Sequence, residues 1–261
     1  NEAYYIRSSK NEYFVKLNKN VDISFFEMEA DALAVIRGTN TIHVPKVYEV
    51  ITVEVEPAPI PMLWMEWVEG KKKKGTETLL GERLAAMHLC TGSGYGLEKD
   101  SYIGMLKQEN MLMSSWVSYY RDFRLGGQLR IGKKLGTISG NREQNLIHLM
   151  EHLDKWIPDK PKASILHGDL WGGNWITGKE GNPYLIDPSV LYGDHEYELA
   201  FTELFGGFSA AFYQAYQSVF PFSDEYQARK EIYQLYYLLV HLNMFGEVYG
   251  RDVDRILNKY I

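Results

Sequence analysis

The sequence is nearly devoid of cysteine. Cys90 is the only one, which excludes an internal disulfide and points to a reducing compartment. Positive charge is not in surplus either. Lys and Arg total 28 against 34 Asp and Glu, a net charge of −6, which argues against a nucleic-acid partner. No apolar run approaches the roughly 20 residues of a membrane span, and no signal peptide opens the chain. A cytoplasmic setting with no membrane partner is therefore expected. Internal repeats and low-complexity tracts are also lacking. What is present is a chain of 261 residues, 45% hydrophobic, enough for one large core or two lobes.

The most informative stretch runs from Ile165 to Asp187. A short apolar strand (164–166) leads into a polar loop, His167 to Asn174, and then a strand hairpin, Trp175 to Ile186. Three polar residues are presented together: Asp169, Asn174 and Asp187. Asn174 follows Asp169 by five residues (174 − 169 = 5), the Asp-to-Asn spacing of a kinase catalytic loop, and a second Asp one hairpin later completes the pattern. Phosphoryl transfer needs a carboxylate beside the acceptor hydroxyl to take its proton. It also needs hard oxygen ligands for magnesium, which a carboxylate and an amide carbonyl supply. Gly172 and Gly173 let backbone approach closely where phosphate and metal must fit. The competing reading is a glycine-rich surface loop in which Asp and Asn merely close turns. It does not account for three spaced polar positions flanked by apolar strands.

The run His167-Gly-Asp-Leu-Trp-Gly-Gly-Asn, then Ile186-Asp-Pro-Ser, Tyr192-Gly-Asp-His-Glu-Tyr-Glu-Leu-Ala and Leu204-Phe-Gly-Gly-Phe, resembles the fructosamine kinase (ketosamine-3-kinase) family. That family is related to the aminoglycoside phosphotransferases and choline kinases. The similarity extends to Asp100-Ser-Tyr-Ile-Gly-Met and to Leu242-Asn-Met-Phe-Gly, and so covers nearly the whole chain. Leu170-Trp171 and Phe205 to Phe208 narrow it from kinase-like phosphotransferases in general to this family.

The resemblance implies an α+β, two-lobed protein-kinase-like fold. Residues 1–67 would form a small lobe with an antiparallel sheet and one helix. Residues 68–261 would form a large, mostly helical lobe carrying the site. It implies ATP and Mg2+ as cofactors, Asp169 at the acceptor hydroxyl, and Asn174 and Asp187 on the metal. The substrate would be a ketosamine, free or protein-bound, phosphorylated on its sugar 3-hydroxyl. The phosphorylated adduct is unstable and frees the amine, a deglycation repair. A strand and Gly-rich loop that precede the first hairpin in kinase-like folds are expected before Asn1. Asp187 is followed by Pro-Ser rather than Phe-Gly, so an activation-loop switch is not expected.

Tyr4 to Ile6 and Tyr13 to Val15 form a hairpin. Lys16 follows, and the resemblance makes it the lysine that holds the nucleotide phosphates. Ser24-Phe-Phe-Glu27 fits a capping box for a helix ended by Gly38. Glu29, in its first turns, matches the family's partner of that lysine. Two strands follow, at 46–55 and 63–68, and Glu66, Trp67 and Val68 resemble the hinge that meets the adenine edge. Lys71 to Lys74 read as a solvated linker. Thr76 to Leu89 is a helix whose His88 reads as structural. Thr91-Gly-Ser-Gly-Tyr-Gly follows a helix rather than a strand, so a phosphate loop is rejected for a connector. Helices are predicted over 110–125 and 141–157, joined by a Gly/Lys/Arg-rich segment, with Met111, Met113, Trp116, Tyr119 and Tyr120 in the core. Further helices are predicted over 196–205, over 208–219, from Ser223 or Asp224 to Phe245, and over 252–260.

On the acceptor side, His167, Trp171, Asp194, His195 and Glu196 are candidates. An indole suits the C–H face of a sugar and a nearby cation. The last three lie on a predicted loop whose carboxylates can meet an amine. Two other readings fit the same residues. One is another small-molecule kinase, for an aminoglycoside or amino alcohol. The other is a non-catalytic nucleotide-binding protein.

Overall fold

The computed structural model describes residues 2–260. In chain order the elements are β1 (Glu2–Arg7), β2 (Glu12–Leu17), α1 (Ser24–Gly38), β3 (Val47–Val53), β4 (Ile60–Glu66), α2 (Thr76–His88), β5 (Ser101–Ile103), β6 (Leu106–Gln108), α3 (Trp116–Tyr119), a π-helical turn (Tyr120–Leu125), α4 (Gly126–Leu135), α5 (Gly140–Glu151), β7 (Ser164–Leu166), β8 (Trp175–Thr177), β9 (Pro183–Leu185), β10 (Leu191–Gly193), α6 (His195–Leu204), α7 (Ala210–Val219), α8 (Tyr226–Phe245) and α9 (Gly250–Lys259). They form two compact units. One comprises Asn1–Cys90, His167–Val190 and Gly207–Pro221, the other Thr91–Leu166, Leu191–Gly206 and Phe222–Ile261. No helix of the described residues is long and apolar enough to cross a membrane.

The first unit carries a four-stranded antiparallel sheet in the order β1-β2-β4-β3. Register pairs Phe14 with Met65 and Lys16 with Leu63. Side chains alternate along a strand, so these four share one face. α1 buries Phe26, Leu33 and Ile36, an apolar stripe at helical spacing. The expected capping box does not form. Asp22 Oδ1 instead accepts the Ser24 N–H at 2.9 Å, an Asx turn that opens the helix from just upstream. Gly38 stays inside the last turn, and Asn40 takes the left-handed conformation at φ 54°, which asparagine tolerates. α2 and α7 pack along one another, burying Leu80, Leu84 and Ala85 with Phe212, Ala215 and Tyr216. His88 is fully buried in this pair, with Nδ1 2.7 Å from the Tyr216 hydroxyl. Its role is structural, as expected.

The second unit holds a large aromatic core that includes Trp116, Tyr119, Tyr120, Tyr197, Tyr233 and Tyr237. β7 pairs antiparallel with β10. The helix predicted over 110–125 starts six residues later, because Met113 pairs with Tyr95 in an extended bridge and Ser115 caps α3. The helix then continues through the π turn to Leu135, so most of the segment expected to join two helices is itself helical. Met111 lies on the surface, not in the core. α8 begins at Tyr226 without a side-chain cap; the Ser223 N–H donates to Glu196 Oε1 and the Ser223 Oγ accepts from Arg229 at 3.2 Å.

Candidate active site

β7 ends at Leu166 and delivers His167 to the start of the polar loop. His167 is fully buried. The Asp169 N–H donates to its Nδ1 at 3.3 Å, so Nε2 carries the proton and donates to Ile186 O at 2.8 Å. The Ser189 N–H donates to His167 O at 2.8 Å. One imidazole thus ties the loop before Asp169 to the segment that ends at Asp187. The sequence placed His167 among the acceptor-side candidates, but the structure encloses it and commits both ring nitrogens to backbone. Leu170, also fully buried, anchors the loop from inside.

Asn174 fixes Asp169 from the other end. Its Nδ2 donates to Asp169 O at 2.7 Å and to Asp169 Oδ2 at 3.2 Å. These bonds use the amide's donors and leave its acceptor oxygen available. The Ile186 N–H donates to Asn174 O at 3.0 Å, and the β8–β9 hairpin pairs Trp175 with Leu185. The hairpin therefore sets Asp187 relative to Asn174.

Asp187 adopts φ +56°, a left-handed conformation that costs a non-glycine residue on the order of 1 kcal/mol. The strained backbone presents a carboxylate that is 46% exposed. Lys16 Nζ lies 2.6 Å from Asp187 Oδ1 and 2.6 Å from Glu29 Oε1. Burial draws the Lys16 ammonium down, but Glu29 and Asp187 together outweigh it and hold the pKa above the ordinary lysine value. Burial pushes the Glu29 carboxyl up, Lys16 lowers it in part, and the Asp187 charge pushes it up again. One cation thus serves two carboxylates, and with all three ionised the cluster carries one net negative charge.

A cleft of about 670 Å³ opens beside this cluster, within the usual size range for small-molecule sites. Phe14, Met65, Ile176 and Ile186 give it apolar walls, and Glu66, Trp67 and Val68 form one edge. Glu66 closes the end of β4, accepting the Lys46 N–H on Oε2 at 3.1 Å. Trp67 packs tilted against Tyr5, ring centroids 4.7 Å apart, and donates Nε1–H to Glu69 Oε2 at 3.2 Å.

Among the lining residues missed from sequence are Phe14 and Lys72. Phe14 was legible, since it lies two residues before Lys16 and alternation puts it on the same face. Lys72 was hidden in the lysine run. It lines the cleft, lies 5.5 Å above the Trp175 ring and pairs with Glu77, so the run is not wholly a solvated linker.

Trp171 is 45% exposed and does not pack under the loop as core. Asp194, His195 and Glu196 belong to the other unit and are buried. Asp194 is the N-cap of α6, accepting the Glu196 N–H at 3.0 Å and the Tyr233 hydroxyl at 2.7 Å. Glu196 accepts the Ser223 N–H at 2.7 Å and faces Arg229 at 3.6 Å. These three residues are not a loop whose carboxylates stand open to an amine, because Asp194 caps α6 and all three side chains are buried.

The model of the fructosamine kinase family matches residues 1–261. An Enterococcus faecium protein named "Probable ketoamine kinase" is 37% identical over 261 residues, spanning 100% of this chain and 91% of that one. A Haemophilus somnus structure described as a "putative fructosamine-3-kinase" is 33% identical with a TM-score of 0.88, over 99% of this chain and 87% of that one. The choline kinase LicA of Streptococcus pneumoniae, at 16% identity, shares the fold alone, with a TM-score of 0.60 over 99% of this chain and 90% of that one. With its α+β, protein-kinase-like fold, the chain belongs to the fructosamine kinase family of ATP-dependent phosphotransferases.

Proposed function

We propose that the chain transfers the γ-phosphoryl group of ATP to the sugar 3-hydroxyl of a ketosamine. The observation that carries this reading is the Asn174 amide holding Asp169 by backbone and carboxylate together, on a hairpin that ends at Asp187. Asp169 orients the acceptor hydroxyl and takes its proton as the bond to phosphorus forms. Asn174 keeps that carboxylate from rotating away. Lys16, already drawn into the cleft by Glu29, supplies the cation for the nucleotide phosphates. The base rests against the edge formed by Glu66, Trp67 and Val68. In this reading residues 1–67 hold the nucleotide and residues 68–261 carry the chemistry, in a cytoplasmic setting.

The residues also fit magnesium. Asn174 and Asp187 offer hard oxygens, and the Lys16–Glu29–Asp187 cluster is net negative. Among the described residues no group of three or more His, Cys, Asp or Glu could hold a metal without further ligands. A two-oxygen protein set suits an ion that completes its shell with phosphates and water. Bound there, magnesium would neutralise charge on the phosphates.

For the acceptor, the exposed face of Trp171, two residues from Asp169, supports a sugar with a protonated amine beside it. The family and the relatives' names support the same class. The experiment offers ribulose- and fructose-lysine adducts, free sugars, choline and an aminoglycoside, and measures ADP release. Ketosamines should win by more than about tenfold in kcat/KM. Faster turnover of choline or an aminoglycoside would remove the acceptor assignment and leave the phosphotransferase.

A further inference from the structure

Trp171 stands on a loop with little intrinsic stiffness, because Gly172 and Gly173 follow it. Its indole nevertheless has a defined seat. The ring lies over Gly173, where a Cβ would come 2.3 Å from the indole Cη2 and 2.5 Å from Cζ2. Gly172 in turn lies against Gly207. A Cβ on Gly207 would sit 2.6 Å from Gly172 Cα and 3.3 Å from its N. Gly207 has φ +97°, a conformation open to glycine, while its neighbour Gly206, at φ +74°, has nothing within 4 Å of the corresponding point. Adjacent glycines thus share a backbone demand, and only one of them is pressed against the loop.

What holds Gly207 in place lies just downstream. Ser209 is the N-cap residue of α7, and its N–H donates to Glu77 Oε2 at 2.9 Å. Phe208 packs on Phe212, ring centroids 4.7 Å apart, and Phe212 is fully buried. Glu77 belongs to the first turn of α2, which packs along α7. A rigid helix pair therefore fixes Ser209, Ser209 fixes the two residues before it, and Gly207 forms a flat support on which Gly172 rests.

We propose that Gly207 is a positioning residue for the acceptor side of the reaction, acting through Gly172 to hold the Trp171 indole over Gly173, two residues along the chain from Asp169. This rests on the reading that Trp171 meets the acceptor. A loop of two glycines with no support would let the indole wander by an ångström or more, enough to degrade orientation of a bound sugar. The assignment gives the Phe-Gly-Gly-Phe run a physical purpose that its sequence alone does not reveal.

The test compares Gly207→Ala, Gly206→Ala and Gly173→Ala in the full chain. Both Gly207→Ala and Gly206→Ala place alanine at positive φ, so general backbone strain is common to them. Gly207→Ala and Gly173→Ala should raise the ketosamine KM by about tenfold or more. Gly206→Ala should leave the ketosamine KM where it is. Gly173→Ala carries the test if Gly207→Ala does not fold, because Gly173 lies outside the left-handed region and the clashing indole is free to swing outward. In a Trp171→Ala background, Gly173→Ala should add nothing further.

A second readout needs no substrate. With 5-fluorotryptophan incorporated, the 19F resonance lost in Trp171→Phe identifies Trp171. That resonance should shift in Gly207→Ala and Gly173→Ala and stay in place in Gly206→Ala. An unmoved Trp171 resonance in Gly207→Ala, or a ketosamine KM that matches Gly206→Ala, overturns the proposal. If the wild-type chain phosphorylates no ketosamine, the acceptor reading fails, and the fluorine spectra still decide whether Gly207 sets the indole.

Discussion

Two clusters of buried charge invite comparison. In the first unit, Lys16 bridges Glu29 and Asp187 at the rim of the cleft. In the second, Asp194 and Glu196 lie inside the start of α6, near Arg229. Asp169 and Asp194 each follow a glycine, and each looks catalytic on paper. The structure separates Asp187 from Asp194 by what each carboxylate has left to give. Both Asp194 oxygens accept hydrogen bonds, one from the Glu196 N–H and one from Tyr233. Asp187 shares a single lysine with Glu29, is half-exposed and is held on a strained backbone. Spare bonding capacity at an accessible, strained carboxylate marks chemistry. Saturation inside a core marks architecture.

The sharpest way to break this contrast is at Asp187. Asp187→Ala should reduce phosphoryl transfer at least about 10³-fold, since it removes a hard oxygen that would hold magnesium against the phosphates. Asp169→Asn comes next. It keeps the Asn174 contacts nearly isosteric and should lose about 10²–10⁴-fold in kcat, with nucleotide binding retained. Steady-state kinetics beside nucleotide affinity checks both variants. Turnover of Asp169→Asn within a few-fold of wild type would remove the proton-acceptor role.

Asp194 should instead report on stability. Burial, and then the nearby Glu196 charge, push its pKa from 3.8 up to about 6. A raised folded-state value means that the folded chain holds the proton more tightly than the unfolded one. The stabilisation is then complete below pH 3.8 and is lost as pH rises through about 6. The difference, (6 − 3.8) × 1.36, corresponds to about 3 kcal/mol. Asp194→Asn cannot ionise, so its stability relative to wild type should climb by about that amount between pH 4 and pH 7. Denaturant unfolding at several pH values measures it. A stability gap independent of pH would show that Asp194 does not titrate in this window.

The same contrast explains what was legible in the sequence. Alternation along β2 and the Asp169/Asn174/Asp187 spacing are local patterns, and local patterns survive in one dimension. β7, β8, β9 and α2 were likewise visible, because apolar runs bounded by glycine and polar residues read directly as short strands and a helix. Asp194 and Glu196 were read as loop carboxylates that could meet an amine because their partners Ser223, Arg229 and Tyr233 lie 27 to 39 residues away. The start of α3 was misplaced because Met113 pairs with Tyr95 across a loop. His167 was read as facing substrate because nothing local shows that Ile186 and Ser189 enclose it. Each miss is a tertiary hydrogen bond overriding a local preference.

The smallest expected effect is at Lys72, which tests how far the rim of the cleft takes part. Its ammonium lies over Trp175 and pairs with Glu77 on the other carboxylate oxygen from the one that accepts the Ser209 N–H. More than half of the side chain is exposed, so solvent screens it, and ion pairs of this kind contribute about 0–1 kcal/mol. Lys72→Met keeps the aliphatic stem against the ring and removes only the charge. If Lys72 meets the nucleotide, the KM for ATP should rise by roughly two- to fivefold with kcat unchanged, the signature of uniform binding lost. The Glu77–Ser209 bond remains, so the KM for the acceptor should not move. A fall in kcat at constant KM for ATP would instead place Lys72 in the chemistry and move it into the class of Lys16.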